Sequence, residues 1–283
     1  MNVFEIIKAV VIGIVEGITE WLPVSSTGHM ILVNEFIGNK GFTSDDLFLY
    51  VIQLGAILAV VTLYFNKLNP FALKKTDEET KDTWQIWFKV IVACLPAAVI
   101  GLLLNDFMEK FENWIVVSAT LIIYGIAFLF IENKTKATNV STINQLSYKT
   151  AHIIGAFQVL SIIPGTSRSG STILGAMLVG CSRAVAAEFS FFLAIPVMFG
   201  VSFLKIASYL KDVYIDKILA PIPTSDWLLL IIGMVVAYAV SMTAIKFLME
   251  YVKKHDFKAF GKYRIVLGII VILYFGVELI LFA

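Results

Sequence analysis

Charged side chains are scarce in this chain. Only 15% of its 283 residues are Asp, Glu, Lys or Arg, while 59% are hydrophobic. A soluble globular domain carries about 25% charged and roughly 45–50% apolar residues, so this composition excludes one. The 22 Lys and Arg nearly balance the 21 Asp and Glu, for a net charge of +1. Without a basic excess there is no electrostatic footprint for nucleic acid, and no such partner is expected. Cysteine occurs twice, at Cys94 and Cys181. Both sit in apolar runs with neither paired nor metal-type spacing, which argues against a disulfide framework or a zinc site; both are expected to be small buried hydrophobes.

What the chain does have is apolar runs near twenty residues long, each enough to cross a hydrocarbon core of about 30 Å. Six segments fit a full span, at about 44–66, 84–105, 113–131, 183–210, 226–250 and 262–282. Two regions do not. Residues 3–22 run into Trp21-Leu22-Pro23 before a shorter piece at about 26–37, and 149–163 run into Pro164-Gly165 before another at about 167–180. A twelve-residue helix covers roughly 18 Å, about half a bilayer, so 3–37 and 149–180 are expected to be re-entrant hairpins turning at a proline. Glu16 and Glu20 interrupt the N-terminal run where a secretion signal would end in a cleavage site, so it is expected to be mature structure.

The two hairpins resemble each other. A shift of 141 places Leu22-Pro23-Val24-Ser25-Ser26 on Ile163-Pro164-Gly165-Thr166-Ser167, and Phe48 on Phe189. One hairpin and three spans per half make the second half enter from the opposite face. The expectation is one all-α polytopic membrane domain over 1–283, with inverted repeat halves 1–135 and 145–283 and hairpin tips meeting near the midplane. Lys67, Lys74, Lys75, Lys81, Lys134, Lys136, Lys149, Arg183, Lys253, Lys254, Lys258, Lys262 and Arg264 fall on one side; the other has little beyond Lys40, Lys110, Lys211 and Lys217. The positive-inside rule assigns the first set to the cytoplasm, so both termini, the first hairpin's entry and the opening of the site are expected on the outer face.

Ionisable groups inside apolar segments are costly and therefore candidates for function. Glu16 and Glu20 stand four apart on one helical face, where like charges repel unless a proton or a cation intervenes. A divalent cation such as Mg²⁺ or Ca²⁺ takes oxygen ligands and also bridges phosphate oxygens; a protonated, hydrogen-bonded pair is the plainer alternative. Ser25, Ser26 and Thr27 follow, where a second half-helix begins, and their hydroxyls can cap it. That helix end attracts anions. His29 lies three residues after Ser26, on the same face; either side chain can accept a phosphoryl group, and the histidine can also move protons. The second tip, Pro164-Gly165-Thr166-Ser167-Arg168-Ser169-Gly170-Ser171-Thr172, is another hydroxyl-rich helix start. Arg168 offers a planar fork suited to phosphate oxygens, or else pairs with Glu16 or Glu20. Two positive helix ends, an arginine and a hydroxyl cluster suit a phosphate or diphosphate, and phosphoryl transfer needs chiefly positioning and charge neutralisation. An anion buried so deep points to a substrate already resident in the membrane.

At these residues, Glu16-Gly-Ile-Thr-Glu20-Trp-Leu-Pro23-Val-Ser25-Ser26-Thr27-Gly28-His29 and Pro164 to Thr172, the sequence resembles the undecaprenyl-diphosphatase family, bacterial enzymes linked to bacitracin resistance. The resemblance covers nearly the whole chain. It implies hydrolysis of undecaprenyl diphosphate to undecaprenyl phosphate and inorganic phosphate in the bacterial cell membrane, recycling the lipid carrier for peptidoglycan. It also implies six spans with two re-entrant hairpins and dependence on a divalent cation. Glu16 and Glu20 would hold the metal or manage protons. Ser26 and His29 would supply nucleophile and acid–base partner, with Ser26 favoured as nucleophile and phosphohistidine or direct attack by water left open. Arg168, with Ser25, Thr27, Thr166, Ser167, Ser169, Gly170 and Thr172, would grip the diphosphate. A homodimer is left open. The rival reading is a lipid-phosphate transporter or flippase using the same midplane anion site, since inverted repeats with broken helices also build transporters.

Overall fold

The computed structural model describes residues 3–38, 42–44, 46–134 and 138–282. Lys40 and Lys136, counted above among the loop cations, lie outside them. In lipid every backbone polar group must be satisfied internally, and this chain answers with helices: α1 (Val3–Thr19), α2 (Ser26–Ile37), α3 (Asp46–Leu63), the single turn α4 (Phe65–Leu68), α5 (Asp77–Glu109), α6 (Trp114–Lys134), α7 (Tyr148–Gln158), α8 (Arg168–Leu178), α9 (Arg183–Tyr214), α10 (Thr224–Lys254) and α11 (Lys258–Phe282). Among the described residues the only β-type pairing is an isolated bridge between Val140 and Cys181.

Five helices are long and apolar enough to cross a membrane: Asp77–Leu104, Trp114–Lys134, Arg183–Tyr214, Thr224–Lys254 and Lys258–Leu279. The segment expected at 44–66 forms the shorter apolar helix Leu47–Leu63. The chain is a multi-pass helical membrane protein. Both proline breaks interrupt a helix where expected. Between α1 and α2 the chain turns at Trp21-Leu22-Pro23-Val24, and between α7 and α8 a 3₁₀ turn, Val159–Ile162, leads into Pro164-Gly165.

The packing partners are set by small residues. α1 lies on α10, where Gly13 faces the Gly233 carbonyl; α5 lies on α7, where Gly155 faces the Ala93 carbonyl. α6 and α11 cross at Gly125 and Gly261, each facing the other's carbonyl, where a Cβ would come within 2.8 Å of backbone oxygen. Such close approach is how helices associate without a hydrophobic drive between them. α3 packs on α9 and α10, with Phe48 and Ile52 buried against Gly233.

One cation moves from loop to core. Arg264, counted among the loop charges, is fully buried, because the turns at both prolines present backbone carbonyls that need a donor.

Candidate active site

Both broken hairpins restart their second helix in the same way. Ser25 caps α2, its hydroxyl accepting from Gly28 N at 3.3 Å; Ser167 caps α8, accepting from Gly170 N at 3.1 Å. Both serines have φ of 75°, a region that disfavours side chains and costs about 1–3 kcal/mol where it is imposed. These caps lie 142 positions apart, one more than the gap-free shift of the two prolines. At 142, Gly28 falls on Gly170, Ser26 on Arg168, Gly13 on Gly155 and Glu16 on Gln158.

The first residue of each of those helices reaches the same carboxylate. Ser26 Oγ donates to Glu20 Oε2 at 3.1 Å, and Arg168 Nη2 donates to Glu20 Oε1 at 2.9 Å. The Arg168 and Glu20 side chains are 10% and 11% exposed, so the pair sits in a low-dielectric setting. Arg168 Nη1 donates to the Ser190 carbonyl at 2.8 Å, and the guanidinium lies 5.7 Å from the Trp21 ring centroid. The fork is thereby fixed in direction while one edge stays on Glu20. In each helix the first two amides have no acceptor of their own, so two positive helix ends flank the carboxylate.

The other hydroxyls expected to grip phosphate build the frame. Ser169 Oγ donates to the Glu20 carbonyl at 3.1 Å and stands 3.2 Å from Ser167 Oγ, tying α8 to the first hairpin. Thr172 Oγ1 donates to the Arg168 carbonyl at 2.9 Å and meets Ser190 Oγ at 2.7 Å. Ser25 and Ser167 are engaged as caps, Gly170 supplies the capped amide, and Thr166 is fully buried. Thr27 follows Ser26 in the first turn of α2, half-buried.

Ser26 and His29 share a helix face but do not share a bond. His29 Nδ1 lies 2.7 Å from the Ser25 carbonyl, and Nε2 lies 2.7 Å from the Tyr263 hydroxyl. A carbonyl only accepts, so Nδ1 carries a proton and the neutral ring's Nε2 accepts from the phenol. The basic nitrogen faces α11, and the partner of the Ser26 hydroxyl is Glu20.

A divalent cation would find a partial shell here. Among the described residues no group of three or more His, Cys, Asp and Glu side chains could hold a metal. Glu16 Oε1, however, is buried with no hydrogen-bond partner, the condition of an oxygen that takes a cation or a proton. Mg²⁺ is commonly held by one or two carboxylates, with water and substrate phosphate completing its sphere. The Glu16 and Glu20 pair fits that mode.

Sequence reasoning missed three residues. Arg264 Nη2 donates to the carbonyls of Gly165 at 3.0 Å and Thr166 at 2.9 Å, and Nη1 to Pro23 at 3.4 Å, clamping both tips together. It lay inside an expected span, where an arginine is expensive, and that was the available signal. Ser190 anchors Arg168 and Thr172 from an apolar helix. Gln158 is buried, with neither side-chain polar atom partnered; its signal was Gly155-x-x-Gln158 repeating Gly13-x-x-Glu16.

Comparison with known proteins agrees along the whole chain. A family model described as bacitracin resistance protein BacA matches residues 9–270. The undecaprenyl-diphosphatase of Enterococcus faecalis (strain ATCC 700802 / V583) is 57% identical over 273 residues, 94% of this chain and 96% of that protein. The one from Acetivibrio thermocellus is 55% identical over 96% of this chain and 98% of its own length. That of Streptococcus mutans serotype c is 54% identical over 100% of both. With a match reaching from α1 into α11, the chain belongs to the BacA family of bacitracin resistance proteins.

Proposed function

We propose that the protein hydrolyses undecaprenyl diphosphate to undecaprenyl phosphate and inorganic phosphate, returning the lipid carrier to cell-wall synthesis. The observation that carries this reading is the convergence of Ser26 and Arg168, from two different hairpins, on the Glu20 carboxylate. The relatives' names supply the substrate. Nothing in those names favours the carrier reading.

Glu20 takes the Ser26 proton as Oγ attacks the terminal phosphorus. The Oγ–P bond forms, the anhydride P–O bond breaks, and undecaprenyl phosphate leaves. Water then attacks the phosphoserine, inorganic phosphate departs, and Oγ recovers a proton. Arg168 transfers its Nη2 edge from Glu20 to the phosphoryl oxygens, while Ser190 keeps the guanidinium aimed. His29 is held on the Ser25 carbonyl through Nδ1; with Tyr263 displaced, its free Nε2 takes up a proton and then donates it to a substrate oxygen. Glu16 with Glu20 would hold Mg²⁺ or Ca²⁺, which when bound neutralises phosphate charge.

The finer topology belongs to the same proposal: α3 is a sixth crossing, and α1/α2 and α7/α8 are re-entrant hairpins of an inverted repeat. Exchange of the halves turns the contact of α1 with α10 into that of α7 with α5, and α3 with α10 into α9 with α5; all four contacts exist. α2, α7 and α8, eleven or twelve residues each, reach only roughly 17–18 Å, about half the bilayer, and the longer α1 roughly 25 Å. Even without Arg264 the loop lysines favour cytoplasmic placement of the 66–83 and 253–262 segments, which leaves both termini outside.

The test is phosphate release from undecaprenyl diphosphate by detergent-purified protein with added Mg²⁺ or Ca²⁺. Turnover that Arg168→Ala abolishes supports the enzyme. Transport of the lipid without phosphate release ends the reading.

A further inference from the structure

A cavity of about 480 Å³ opens beside the site and shares its walls. Leu22 and Val24, from the first hairpin's turn, form one side; Ile18 on α1 and Phe247 on α10 flank it; His29 and Tyr263 stand at its polar end. Ile18, Phe247 and Tyr263 are all exposed, on helices that face lipid, so the opening is lateral. Thr19, also in the wall, turns its hydroxyl back to the Val15 carbonyl at 2.7 Å. A hydrated or charged ligand would gain nothing from such walls, whereas an apolar chain would. A second cavity, about 560 Å³ around Phe65, Trp84 and Phe199, includes none of the site's residues.

We infer that this cavity seats the first isoprene units of the substrate's tail, an inference that rests on the hydrolase reading above. Continuity carries it. His29 hangs from the Ser25 carbonyl, one residue from Ser26, while its Nε2 and the Tyr263 hydroxyl border the cavity. A lipid diphosphate whose tail lies against Ile18 and Phe247 therefore meets His29 and Tyr263 at the junction of tail and head, with Ser26, Glu20 and Arg168 beyond. A cavity of about 480 Å³ has room for a short stretch of apolar chain, a few isoprene units and not a whole tail. The remaining units of an undecaprenyl tail extend into the bilayer.

Tail length is accordingly the readout. KM should fall from dimethylallyl to farnesyl diphosphate and change little from farnesyl to longer chains. Ile18→Trp narrows the cavity from its exposed side. It should raise the KM for farnesyl diphosphate about tenfold and leave dimethylallyl diphosphate within about twofold, with kcat and the thermal midpoint unchanged. A farnesyl diphosphate analogue with a diazirine on its third unit should label Ile18 or Phe247 peptides, and unlabelled farnesyl diphosphate should compete. A folded Ile18→Trp protein with wild-type KM for both substrates overturns the inference. So does labelling suppressed by phospholipid but not by farnesyl diphosphate, which would make the cavity a seat for ordinary bilayer lipid. The two readings fail separately: labelling in the cavity without phosphate release ends the hydrolase reading and keeps the seat, while release with labelling elsewhere ends the seat alone.

Discussion

Ser26 and Arg168, 142 positions apart, hold opposite oxygens of one carboxylate, that of Glu20. Each is the first residue of the helix that follows a proline break, so a single carboxylate fixes where the two helix starts meet. This geometry makes Arg168→Lys a severe change: an ammonium can keep the ion pair but cannot span Glu20, Ser190 and a phosphate as a planar fork does. Expected is a loss of kcat of about 100-fold or more, in line with the value of arginine in phosphoryl transfer, with little change in thermal midpoint. Phosphate-release kinetics beside a melting curve check it.

Metal dependence should pass through Glu16. Its Oε1 is an unspent carboxylate oxygen in the site, whereas both Glu20 oxygens are engaged. Chelation of divalent cations should abolish turnover, and Glu16→Gln should raise the Mg²⁺ concentration for half-maximal rate by about tenfold or more, since an amide oxygen is a weaker ligand for a hard cation than a carboxylate. A Mg²⁺ titration of both proteins decides; superimposable curves would remove Glu16 from the metal.

The two helix breaks were legible because proline cannot continue a helix, and the site because Glu16, Glu20 and Arg168 have no bland reason to lie in apolar runs. What was not legible depended on third elements. The Ser26–His29 spacing is right for a pair, yet Tyr263, 234 positions away, claims the imidazole and Glu20 claims the hydroxyl. Arg264 sits beside Lys262 at the head of a span and reads as one more loop cation until the carbonyls of Pro23, Gly165 and Thr166 are seen to converge on it. The spacing of the capping serines was not legible either: the prolines stand 141 apart, whereas Ser25 and Ser167 stand 142 apart.

The assignment of nucleophile can be tested by trapping. With Ser26 bonded to Glu20, a phosphoenzyme should form on Ser26, disappear in Ser26→Ala and survive in His29→Ala, whose turnover should drop by about 10²–10⁴ as acid–base help is lost. A phosphoenzyme persisting in Ser26→Ala and missing from His29→Ala would move the covalent step to the imidazole.

Arg264 should matter to architecture more than to chemistry. Arg264→Leu strips the donor from three tip carbonyls, each costing about 1–3 kcal/mol if left unsatisfied. A lowered thermal midpoint is expected, together with a raised KM as the two helix starts drift apart. Arg264→Lys should recover part of the stability, because an ammonium can reach some of those carbonyls. Equal melting curves for wild type and Arg264→Leu would deny it the clamp.

Orientation is the remaining consequence of the charge distribution, and it can be read without any substrate. In a protein whose Cys94 and Cys181 are replaced by alanine, single cysteines go to Leu73→Cys, in the basic loop before α5, and Ile218→Cys, in the connection before α10; both native side chains are exposed. If the lysine-rich side faces the cytoplasm, a membrane-impermeant maleimide added to intact cells labels Ile218→Cys alone, and Leu73→Cys only after permeabilisation. The converse pattern would invert the molecule. It would place the cavity between α1 and α10 in the same lipid but turn both termini inward, so that the first hairpin enters from the cytoplasmic face.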